Sequence, residues 1–121
     1  MSLPTSALAW RDRQALDALV MRLLSEPNLQ VLRMTLYGSK ARHDDTPESD
    51  IDVLVIIADD RWPVKDRILT IGARLSLEHD VLFNLVVVSQ ARWAWMNQIS
   101  HPLSRSIVAE GVDLTLEPAL T

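Results

Sequence analysis

Gly38-Ser39-Lys40-Ala41-Arg42, then a polar loop, then Ser49-Asp50-Ile51-Asp52 running directly into Val53-Leu54-Val55-Ile56-Ile57, is the most informative part of the chain. One β-favouring run ends at a glycine, and a second begins on two carboxylates separated by a single residue. Residues two apart on a strand project from the same face, so Asp50 and Asp52 present their carboxylates one residue step apart on one side. That arrangement suits a hard divalent cation. Magnesium takes one or two protein carboxylates and completes its octahedron with phosphate oxygens and water. If the preceding strand lies adjacent, the Gly38-Ser39 turn flanks the pair. Gly38 lets backbone approach a phosphate, and Ser39 is placed to cap a short helix with free N–H groups. Lys40 and Arg42 bring positive charge to a region dominated by Asp44, Asp45, Glu48, Asp50 and Asp52. Arg42 is the expected phosphate contact of the two.

Outward from this stretch the chain alternates helix and strand. Upstream, Ala15, Leu16, Leu19, Val20, Leu23 and Leu24 form one helical stripe, giving a helix over 5–26 that Pro27 and Asn28 stop. Leu29 to Tyr37 is the first strand, with Leu32, Met34 and Leu36 on one face and Val31, Arg33, Thr35 and Tyr37 on the other. Ile51 to Ala58 lacks polar alternation after Asp52 and reads as a strand covered on both faces. Pro63 opens a second long helix, Trp62 to Glu78, repeating Val64, Ile68, Ile71 and Leu75. Val81 to Val88 is the third strand, and Ser89 caps a short helix carrying Trp93 and Met96. A last helix runs from Pro102 to Glu110, closed by Gly111 before a short run, Val112 to Leu116. The expectation is one α/β domain over residues 1–121: a mixed sheet with helices packed on it, core 29–116, and a loose tail over 117–121. The helical crossover makes strands two and three parallel and right-handed.

Composition narrows the partners. The chain has 121 residues, no cysteine, and 12 basic against 16 acidic residues, a net charge of −4. Disulfides, thiolate metal sites and thiol nucleophiles are excluded, and a reducing cytoplasm is the expected location. An acidic chain lacks the footprint of a nucleic-acid binder. Residues 1–9 do not read as a signal peptide, and no apolar run is long enough to span a bilayer. His43, His79 and His101 lack metal-ligand spacing. Asp44, Asp45 and Glu48 read as a solvated loop without a role, and Trp93, Trp95 and Met96 as core filling, or a partner surface if exposed together.

Gly-Ser-x-Ala-Arg followed by Ser-Asp-x-Asp resembles the signature of the minimal nucleotidyltransferases of the DNA polymerase β-like superfamily. The order of elements agrees, as does the ending Arg105-Ser106-Ile107-Val108-Ala109-Glu110-Gly111-Val112, so the likeness spans Leu29 to Leu116. It implies a small nucleotidyltransferase fold in which Gly38 and Ser39 hold nucleotide phosphates and Asp50 and Asp52 bind magnesium, as one ion or two. The implied reaction transfers AMP from ATP to a protein hydroxyl. The resemblance further implies an antitoxin paired with a HEPN-domain ribonuclease, so ATP and that protein are the expected partners, with self-association a further option and no nucleic-acid or membrane contact.

Two departures stand out. His43 occupies a position where the family usually has glycine. The third catalytic carboxylate, which the family places after the helical crossover, has two candidates. Asp80, at the expected start of strand three, is favoured to stand beside Asp50 and Asp52. Asn84 shares its face about 13 Å further along, and if the family position falls there a metal ligand is weakened. The alternative function is then a nucleotidyltransferase-fold binding module, catalytically weak or inactive, that neutralises or scaffolds a partner protein.

Overall fold

The structure, a computed structural model, describes residues 8–115. Helix α1 (Trp10–Leu24) leads through a 3-10 turn (Pro27–Leu29) to β1 (Val31–Tyr37) and the short α2 (Ser39–Arg42). Strand β2 (Ile51–Ile57), helix α3 (Trp62–His79) and strand β3 (Phe83–Ser89) form the crossover unit, and α4 (Gln90–Gln98), α5 (Pro102–Glu110) and β4 (Val112–Asp113) complete the chain. The four strands lie in the order β3-β2-β1-β4. β1 is antiparallel to β2 and β4, and β2 is parallel to β3, so the sheet is mixed as the sequence predicts.

The sheet separates two apolar layers. On one face Leu16, Leu19 and Leu23 of α1 and Ile68, Ile71 and Leu75 of α3 meet Met34, Leu36, Val53, Val55 and Ile57. On the other face Tyr37, Leu54, Ile56 and Val88 pack with Met96 of α4 and Ile107 of α5. Alternate residues of β2 therefore enter opposite layers, and this is why its sequence shows no polar alternation.

Several boundaries differ from the sequence reading. Helix α1 begins at Trp10 and is capped at Ser25, inside the expected 5–26 span; residues 5–7, residue 116 at the end of the expected core and the expected tail over 117–121 lie outside the described residues. β1 starts two residues late because Gln30, at φ 52°, closes the 3-10 turn in the left-handed region. Its register with β2 slips between Val31 and Arg33, leaving Leu32 exposed instead of facing the core. Gly111 caps α5 as expected but in extended backbone, and its smallness serves packing: an added Cβ would lie 2.6 Å from Thr35 Cγ2 and 2.4 Å from the Ile107 carbonyl oxygen. Ser89 caps α4 by accepting the Arg92 amide. The aromatic group on α4 divides. Met96 is buried and Trp93 packs against the second layer, whereas Trp95 stays half-exposed beneath the Arg92 guanidinium.

Candidate active site

The cross-strand register assembles the site. Tyr37 pairs with Asp52 across the antiparallel ladder, and Asp52 pairs with Asn84 across the parallel one. Directly paired residues share a face, so Tyr37, Asp52 and Asn84 form one row at the end of the layer covered by α4 and α5. Asn84 Nδ2 donates to Asp52 Oδ1 over 2.9 Å. Asp50 immediately precedes the strand, two residues from Asp52. Burial, and secondarily the Asp52 charge, push the Tyr37 phenol above its ordinary pKa.

Gly38 completes the corner. It sits at φ 77°, ψ −157°, backbone that glycine alone enters readily. A Cβ there would fall 2.2 Å from Asp52 Oδ2, so the turn lies directly against that carboxylate. Gly38, rather than Ser39, occupies the cap position of α2; Ser39 is the first helical residue. The first amides of a helix have no intrahelical acceptor, so those of Ser39 and Lys40 are left open at this turn. His43 ends α2 at φ 65°, the left-handed conformation that a glycine would supply, so the departure at this position leaves the turn intact.

The two cations of the motif have different surroundings from those expected. Lys40 is fully buried, with its Nζ donating to Asp12 Oδ2 (2.7 Å), Asp45 Oδ2 (2.9 Å) and the Thr46 carbonyl oxygen (3.2 Å). Asp45 is thus an ion-pair partner and not merely a solvated loop residue. Arg42 lies between Asp44 (3.1 Å) and Glu110 (2.9 Å), which raise its pKa and tie α2 to the end of α5. Exposed pairs of this kind contribute little to stability.

Asp80 does not stand where the sequence reading put it. It caps α3 at φ 54°, a left-handed conformation that aspartate tolerates, and its N–H donates to the Ser76 carbonyl oxygen. Val81 also donates to Ser76, so β3 begins only at Phe83. The Asp80 carboxylate is exposed and pairs with Arg11 of α1 at 3.3 Å, on the α1/α3 side of the sheet. Asn84 takes the place beside Asp52 instead. Among the described residues no group of three or more His, Cys, Asp or Glu is placed to hold a metal, and neither Asp50 nor Asp52 has an ion-pair partner. Such a two-carboxylate set suits a cation whose remaining ligands come from phosphate and water.

The Lys40 cluster predicts a pH dependence. Its hydrogen bond to Lys40 holds the Asp45 carboxyl below the usual 3.8. On acidification the unfolded chain takes up this proton first, so the stabilisation is complete above the usual value and is lost as pH falls through the lower folded one. Burial pushes the Lys40 pKa down, but the hydrogen bonds to Asp12 and Asp45 together outweigh it and leave it raised. That contribution is complete below 10.5 and is lost only as pH rises through the higher folded value. Urea midpoints measured from neutral to acidic pH are expected to fall less steeply in Asp45→Asn than in the natural chain.

The sequence profile of the nucleotidyltransferase domain family matches residues 19–112, which include the Gly38-Ser39 turn, both aspartates and β3. The chain belongs to that family. A relative from Methanocaldococcus jannaschii, "Putative protein adenylyltransferase MJ0604", is 29% identical over 100 residues, covering 83% of this chain and 94% of its own length. A second from the same organism, "Putative protein adenylyltransferase MJ0141", is 38% identical over 56 residues, 46% of this chain and 57% of the relative. Two crystal structures share the fold. One is a toxin-antitoxin with AMP-PNP, at TM-score 0.54 and 20% identity over 81% of this chain and 71% of that one. The other is a mutant of the toxin-antitoxin MntA-HpeT, at TM-score 0.51 and 21% identity over 81% and 70%. No helix among the described residues is long and apolar enough to cross a membrane.

Proposed function

We propose that the chain is a magnesium-dependent protein adenylyltransferase of the cytoplasm that moves AMP from ATP to a hydroxyl of a HEPN-domain toxin and acts as its antitoxin. The observation that carries this reading is the close approach of the Gly38 turn to Asp52, the second carboxylate of the Asp50-Ile51-Asp52 pair. The names of the M. jannaschii relatives support the reaction class, and the toxin-antitoxin neighbours support the kind of partner.

Each residue then has a role. Gly38 and the Ser39 and Lys40 amides receive phosphate oxygens, with the Ser39 hydroxyl within the same turn and Arg42 as the cationic contact. Asp50 and Asp52 would hold magnesium, which supplies charge neutralisation on the triphosphate as pyrophosphate leaves. Asn84 fixes the Asp52 carboxylate through its 2.9 Å hydrogen bond. The acceptor oxygen bonds to the α-phosphorus and its proton passes to water, while the bond from the α-phosphorus to the oxygen bridging to the β-phosphate breaks and pyrophosphate leaves with that electron pair. Asp80 is left out of the catalytic set, since its carboxylate lies on the other side of the sheet.

The experiment is label transfer from α-labelled and γ-labelled ATP in a prokaryotic lysate, with and without added protein. AMP transfer labels an acceptor from the α-labelled nucleotide alone. Labelling from the γ-labelled nucleotide alone points to phosphoryl transfer and overturns the reading. A second reading, a binding module that silences its partner by occlusion, is favoured by one observation: an amide, Asn84, stands beside Asp52 in place of a third carboxylate. It predicts neutralisation of the partner without labelling.

Asn84→Asp separates the two. Without metal, a new carboxylate facing Asp52 is repelled and lowers Tm; magnesium is expected to restore it. AMP transfer is expected to rise by about 10- to 100-fold, the range typical of a group that supports a metal site. Unchanged transfer together with a magnesium-insensitive Tm favours the binding module.

A further inference from the structure

We propose that Lys40, joined to Asp12 of α1 and to Asp45, is a positioning residue that latches the 38–46 segment into the shape that receives nucleotide phosphates. This rests on the nucleotide-binding reading above. An ammonium has three donors, and Lys40 Nζ spends all three within the protein, on Asp12, Asp45 and the Thr46 carbonyl oxygen. A lysine between Ser39 and Arg42 invites assignment as a phosphate ligand, but this one is 1% exposed. Its acceptors come from both sides of α2: one from the N-terminal helix, two from the loop that follows.

The segment needs such an anchor. Helix α2 has four residues, far too few to hold itself. It opens on Gly38 at φ 77° and closes on His43 at φ 65°, and a non-glycine residue in that region persists only where its surroundings over-determine it. Asp44 donates its amide to the Ser39 carbonyl oxygen, and Ser49 Oγ accepts the Thr46 amide, so the loop folds back over the helix that Lys40 pins. Displacing Lys40 moves Ser39 and Gly38, and Gly38 lies against Asp52. The latch also neutralises two carboxylates that would otherwise add negative charge next to a bound nucleotide. Through Asp12 it makes the seating of α1 a determinant of the loop's shape.

The test uses Asp12→Asn and Asp45→Asn, which keep size and an acceptor but remove charge, against Ile71→Val in α3 as a control that destabilises at a distance. Hydrogen exchange reads the latch, and calorimetry with magnesium and AMP-PNP reads its consequence. In both variants the hydrogen-bonded amides of Ala41, Arg42, His43 and Asp44 are expected to exchange about tenfold faster while those of Leu54, Val55 and Ile56 keep pace with the control. AMP-PNP affinity is expected to fall about tenfold in both and to stay unchanged in the control. Exchange that rises equally in β2, or affinity within about twofold of the natural chain in folded variants, overturns the positioning role. Failure of the nucleotide reading looks different: the natural chain then binds no AMP-PNP at all, and the positioning role falls with it even where exchange reveals a local latch.

Discussion

Asp52→Asn is expected to lower AMP transfer by about 10²- to 10³-fold, the loss typical when one preorganised electrostatic group is removed from a reacting centre. Asp52 is the middle of the row. It is held by Asn84 through Oδ1 and flanked by Gly38 at Oδ2, and it pairs across the ladder with Tyr37. The substitution keeps the shape that Gly38 packs against, and an asparagine oxygen still accepts from Asn84, so the fold is expected to persist. Removing one of two neighbouring like charges leaves Tm unchanged or slightly raised. The measurement is transfer from α-labelled ATP beside a thermal melt of the same sample. A loss of less than about tenfold in the folded variant contradicts the role given to this carboxylate.

The largest effect on stability is expected at Lys40. Lys40→Met preserves length and apolar stem but leaves Asp12 and Asp45 facing each other without a counter-charge. Breaking a buried pair from one side typically costs about 3–5 kcal/mol, a large share of a small domain's stability. Urea denaturation followed by circular dichroism reads it. Replacing the whole cluster, as Asp12→Leu with Lys40→Met and Asp45→Asn, is expected to recover most of the loss, because buried ion pairs and apolar substitutes of similar volume are often equivalent. A single Lys40→Met loss below about 1 kcal/mol contradicts the arrangement.

What the sequence made legible followed from periodicity and punctuation. The stripe of α1, the Pro63 start of α3, the Ser89 cap and the span Pro102–Glu110 all come from local signals whose causes act within a few residues. The two-sided burial of β2 was readable because its residues are uniformly apolar. Register was not. Asp80 looked like the first residue of a strand because it precedes Val81 and Leu82, but its left-handed backbone ends α3 and delays β3 by three residues. That shift brings Asn84, not Asp80, opposite Asp52. The signal that distinguishes them is a helix stripe reaching Leu75 and Ser76 and continuing to His79, where an aspartate makes a good left-handed cap. The Asp12–Lys40–Asp45 cluster was equally hidden. Its members lie 28 and 5 residues apart, and a charged residue in an amphipathic helix or polar loop reads as solvated unless the tertiary fold closes over it.

The most direct measurement is calorimetric titration of ATP into the purified protein with magnesium, repeated in EDTA and with Asp50→Ala and Asp52→Ala. Binding that requires magnesium and disappears in both variants is the predicted result. Binding indifferent to EDTA and to both substitutions, or no binding by the natural chain, contradicts a nucleotide site built on these two carboxylates.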